Sequence, residues 1–98
     1  MKIWRIIHEG QWILIPKTKQ FMFYISFGYY QQHNILESLY FLKKTIHFDI
    51  KNDVDKYYHL KAINFLPIFL NTIELKIKSQ HIKNLCYIII EDIIINKI

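Results

Sequence analysis

The sequence predicts an α+β domain: an antiparallel sheet, one helix and a long projecting β-hairpin. Three observations carry that expectation. Ile73, Leu75 and Ile77 alternate with Glu74, Lys76 and Lys78, the two-residue period of a half-buried strand. Phe21 to Phe27 and Leu85 to Ile95 are dense in aromatic and β-branched residues, which favours strands. Between them, Ile35, Leu39, Leu42 and Ile46 recur at helical spacing.

Taken in order, Ile3 to Ile7 and Gln11 to Ile15 read as short strands around His8-Glu9-Gly10, with Gly10 able to take a positive φ in the turn and Pro16 ending the hairpin. Phe21 to Phe27 reads as a third strand, with Phe21, Phe23, Ile25 and Phe27 on one face and Gly28 ending it or letting it bulge. The predicted helix runs from Asn34 to about Thr45: Asn34 suits an N-cap, Glu37 follows three residues on, as in a capping box, and Lys43 and Lys44 sit in the last turn. Ile46 to Ile50 reads as a short strand and Lys51 to Lys56 as a polar turn; Tyr57 to Phe65 is open between strand and helix. Pro67 is expected to hold Leu66 extended. Leu85 to Ile95, with three isoleucines on either side of Glu91-Asp92, reads as the strand returning from the hairpin tip.

Ile, Lys, Asn, Phe and Tyr make up 53 of the 98 residues, and Gly, Ala, Arg and Pro only 6. Residues with A/T-rich codons have displaced those with G/C-rich ones, which points to an organelle, an endosymbiont or an A/T-rich virus. Such a length supports one small domain, residues 1–98, without linker or repeat. A hydrophobic share of 52% is high for so small a domain, so part of that surface is expected to be covered by a partner. Net charge of +5 favours a polyanion, nucleic acid first and an anionic membrane surface second. No run of about 18 apolar residues occurs, so a membrane-spanning helix is not expected. The start has neither a secretory cleavage site nor the arginines of a transit peptide, as expected for a protein made in the organelle where it works.

No constellation points to catalysis. Cys86 has no partner for a disulfide or a CxxC zinc site and reads as a small buried apolar residue. His8, His33, His47, His59 and His81 lack metal-binding spacing. Asp49, Asp53 and Asp55 lack the glycine and distal glutamate of a calcium loop. Glu91 and Asp92, adjacent on a strand, would point to opposite faces and cannot form an acid/base pair. With only two glycines there is no phosphate-binding loop. The expectation is a non-enzyme, with no cofactor, metal or small-molecule substrate.

Lys76, Lys78, Ser79, Gln80, His81, Lys83 and Asn84 gather at the end of the alternating strand. Their composition describes either a solvated hairpin end or a tip that clamps phosphates with ammonium, hydroxyl and amide donors. Tyr24, Phe27, Tyr29 and Tyr30 offer a stacking platform or, by their alternation, core. The order Phe65-Leu66-Pro67, spacer, alternating strand, then Lys78-Ser79-Gln80-His81-Ile82 resembles the long hairpin of the small-subunit ribosomal protein ten family. Phe23 to Phe27 is similar to that family's first strand, Asn34 to Thr45 to its helix and Tyr87 to Ile95 to its returning strand. Gln80 stands where the family has proline, the Ile46 to Phe65 connection is longer, and the family's second helix and closing strand have no counterpart. The resemblance implies a partial ferredoxin-like fold over residues 21–98 with residues 1–16 as an added hairpin. It also implies the seven tip residues as RNA ligands. The implied role is structural, binding ribosomal RNA and neighbouring small-subunit proteins in the head of a mitochondrial small ribosomal subunit, in the matrix. The alternative is an accessory subunit of an organellar membrane complex, using the surplus of isoleucine and aromatic residues as an interface.

Overall fold

The computed structural model describes residues 4–7, 11–14 and 18–97. Trp4–Ile7 (β1) pairs antiparallel with Gln11–Leu14 (β2), Trp4 opposite Leu14 and Ile7 opposite Gln11. The expected turn at His8 to Gly10 lies outside the described residues. From there on every element is a helix: α1 (Lys19–Gln31), α2 (Ile35–His47), α3 (Asp53–Lys76) and α4 (Gln80–Lys97). The expected α+β architecture, its sheet and its projecting hairpin are therefore corrected to a helical domain in which α2 packs on α1, α3 and α4.

The stretch expected as a third strand lies in α1. Thr18, extended at φ −142°, accepts from the Phe21 amide through Oγ1 at 3.0 Å and starts the helix. The buried residues are Lys19, Met22, Phe23 and Ser26, a helical period hidden because two of the four are polar. Gly28 lies inside the helix rather than at a bulge. Ser26 and Ser38 exchange bonds to each other's carbonyls, at 2.7 and 2.5 Å, so small residues let α1 and α2 approach closely with their polar atoms satisfied.

α1 ends in a Schellman motif. The Asn34 amide donates to Tyr29 O at 2.9 Å, the His33 amide to Tyr30 O at 3.0 Å, and His33 takes φ 62°. The predicted helix is α2, with Asn34 as its N-cap, but no side-chain capping bond forms there. Asn34 contributes its carbonyl, to the Ser38 amide at 3.0 Å. Leu39 and Leu42 are fully buried. Ile46 belongs to the helix, and the expected strand to Ile50 is absent: Phe48 caps α2 and Asp49 and Ile50 lie in the connection.

α3 begins inside the expected polar turn, where Asn52 accepts from the Asp55 amide at 2.8 Å and Asp55 accepts from the Lys51 amide at 2.9 Å. Tyr57 to Phe65 is helical. Pro67 lies inside this 24-residue helix, so Leu66 is not extended. Leu66, Phe69 and Ile73 bury on that path, which outweighs the lost amide and the pre-proline preference. Ile73 is buried within α3 and Ile77 packs on the core from the extended cap position just beyond it, while Leu75 is exposed, so the alternation was an accident of the helix end. α4 replaces the returning strand. Cys86, Ile90 and Ile93 bury at helical spacing, and tertiary contact overrides the β preference of isoleucine.

Candidate nucleic-acid interface

The seven predicted RNA ligands lie together, at a helix–turn–helix corner rather than a hairpin tip. Lys76 ends α3, Ile77 caps it and packs on the core, Lys78 and Ser79 form the link, and Gln80 to Asn84 form the first turns of α4. Lys76, Lys78, Ser79, Gln80, His81 and Asn84 are exposed and Lys83 is half-buried.

Several of these groups are already engaged. Ser79 caps α4, its Oγ accepting from the Ile82 amide at 3.3 Å and its carbonyl from the Lys83 amide at 3.0 Å. Gln80 Nε2 donates to Asn84 Oδ1 at 2.9 Å. Lys83 Nζ stands 3.6 Å from Glu74, which also accepts from the Tyr87 hydroxyl at 2.6 Å. The Tyr87 hydroxyl and then Lys83 hold the Glu74 carboxyl below its ordinary value, and Glu74 in turn raises Tyr87. Lys76 and Lys78 have no ion pair among the described residues, so they carry the uncompensated charge of the corner. The exposed first turn of α4 contains no acid, leaving its amide end positive.

The expected stacking platform is split, with Tyr29 and Tyr30 half-buried and Tyr24 and Phe27 exposed. Tyr29 stacks on Phe41 at 5.7 Å and 13°, and Tyr30 packs edgewise on Phe69 at 5.3 Å. Tyr24 bonds the Tyr58 hydroxyl at 3.0 Å, which raises Tyr58 above its ordinary value. Tyr24 and Phe27 remain exposed and, with Phe23, Lys61, Phe65 and Ile68, line an apolar groove of about 360 Å³ between α1 and α3.

A second cleft, of about 320 Å³, has Phe27, Tyr30, Gln31, His33, Thr72 and Lys76 among its walls. Sequence reading missed it because Gln31 and His33 meet Lys76 only when α1 folds against α3. The Tyr-Gln-Gln-His-Asn run at the end of α1 was its one visible trace.

Cys86 is buried and unbridged, and burial pushes its thiol up, away from nucleophilic use. Asp55 spends its carboxylate on the Lys51 amide. Among the described residues no group of three His, Cys, Asp or Glu is placed to hold a metal, and no helix is long and apolar enough to cross a membrane. No family model, curated protein or solved structure matches the chain. What the geometry defines among the described residues is a small helical domain with a cationic corner between α3 and α4.

Proposed function

We propose that the chain is a non-catalytic structural subunit that contacts RNA through the α3–α4 corner, in the small ribosomal subunit of a mitochondrion. One observation carries the RNA reading: Lys76, Lys78, His81 and Lys83 converge on a single corner of a chain with net charge +5. Ammonium groups beside a positive helix end suit phosphate contacts and impose no base code. The Lys-rich, Ile-rich composition supports the organellar setting. The ribosomal family's hairpin is not formed, so the likeness of Lys78-Ser79-Gln80-His81-Ile82 lends no geometry to this proposal.

Replacing Lys76, Lys78 and Lys83 together with Ala is expected to weaken RNA association and to flatten the dependence of log K on log salt by up to about three units. An unchanged slope returns these lysines to simple solvation. In the native source, co-sedimentation with small-subunit ribosomal RNA on sucrose gradients is the expected result.

A second reading, an accessory subunit of an organellar membrane complex, has its own observation. Tyr57, Leu60, Leu75, Ile88 and Ile95 are all more than half exposed, apolar side chains that a neighbouring subunit could cover. Detergent-dependent co-purification with respiratory enzymes, without ribosomal RNA, would favour it over the first.

A further inference from the structure

We infer that the cleft between the end of α1 and the last turns of α3 is a subsite for one unpaired RNA nucleotide, its phosphate held between Lys76 and His33. The inference rests on the RNA reading of the adjoining corner and deepens it.

The floor of the cleft is chemically closed. Thr72 Oγ1 donates to Ile68 O at 2.9 Å, so the Tyr30 hydroxyl, 2.9 Å from Thr72 Oγ1, is the donor of that pair. No hydroxyl proton is left over there. The groups available to a ligand are at the rim: the Gln31 amide, the His33 imidazole and the Lys76 ammonium, all exposed and none with a side-chain hydrogen bond among the described residues. Phe27, 38% exposed, adds an aromatic wall.

An ammonium and an imidazole N–H suit a phosphate, an amide suits a ribose hydroxyl or base edge, and the aromatic wall suits a base face. The volume, about 320 Å³, suits one nucleotide and excludes a duplex. The backbone adds an independent sign. His33 occupies the left-handed position of a Schellman motif with φ 62°, where glycine is the residue of least strain. The bonded turn fixes the His33 backbone, and its side chain lies at the rim of the cleft. Lys76 belongs to both the cleft and the corner, so a strand tracking Lys78 and Lys76 would enter the cleft next.

The test uses the whole chain, a ten-nucleotide single-stranded oligouridylate and an RNA duplex of equal length, with three proteins: wild type, His33→Gly, and Lys78→Ala with Lys83→Ala. His33→Gly suits the left-handed position, so its fold is retained, with a melting temperature equal to or above wild type. It is expected to weaken single-strand binding roughly three- to tenfold, the net size of one hydrogen bond, and to leave duplex binding unchanged. Unchanged single-strand affinity in His33→Gly, while the double lysine variant loses affinity, overturns the cleft and leaves the corner standing. Absence of binding to either RNA by the wild type overturns both.

Discussion

Lys19 ties the start of α1 to the end of α2. Its side chain is fully buried, and Nζ donates to Thr45 O at 2.6 Å and Ile46 O at 3.1 Å, with His59 Nδ1 3.2 Å away. The last carbonyls of α2 are the negative end of its macrodipole, so this lysine satisfies acceptors that lie inside the fold. Lys19→Met keeps most of the stem volume and removes the donor. It is expected to destabilise by about 1–3 kcal/mol, since the cost is that of buried carbonyls left unmet, read as a lower midpoint in urea. His33→Gly acts in the opposite direction on stability: relieving a side chain from the left-handed region is worth about 1 kcal/mol.

Elements were legible where an apolar stripe at helical spacing stood out from its neighbours. In α2 the buried Ile35, Leu39, Leu42 and Ile46 are apolar at helical spacing, and that helix was read from sequence. In α1 the buried face includes Lys19 and Ser26, which hid its period behind the alternating apolar residues Phe21, Phe23, Ile25 and Phe27. In α3, Pro67 argued for a break that burial of Leu66 and Phe69 overcomes. The proline still removes the amide that would bond the Ile63 carbonyl. Pro67 is exposed, so Pro67→Ala places no new side chain in the core. This variant is expected to stabilise by about 1–3 kcal/mol, given the roughly 3 kcal/mol difference between the two residues in a helix interior and its partial recovery by the more restricted unfolded chain of the wild type. A rise in the melting temperature by calorimetry checks it; a fall would mean that α3 depends on the proline's shape.

At the scale of the whole molecule, α4 is held to the rest by a buried isoleucine face and by surface links from Lys43 to Asp92 at 2.8 Å, Tyr87 to Glu74 at 2.6 Å and Lys83 to Glu74 at 3.6 Å. Lys43 holds Asp92 below its ordinary value, as Tyr87 does Glu74. A depressed carboxyl contributes stability above its unfolded value and loses it as pH falls through the folded value. Thermal stability is therefore expected to be level in neutral solution and to decline below about pH 4. The decline should be shallow because these links are at least partly exposed to solvent and screened. Asp92→Asn with Glu74→Gln should flatten it further, checked by melting curves across pH. A steep loss unaffected by that double variant would place the acid sensitivity elsewhere.

By itself the sequence determined the location of the polar, basic segment from Lys76 to Asn84, the helix at α2 and the buried character of Cys86. Each of these depends on composition or on a period that neighbouring residues alone can set. Tertiary structure decided that isoleucine-rich and aromatic segments coil rather than extend. Apolar residues on every side of α1 and α4 satisfy a period of two as readily as 3.6, and only the opposing helices select which of them bury. It also decided that Gln31 and His33 face Lys76. That meeting joins residues more than forty positions apart, and no local pattern encodes it.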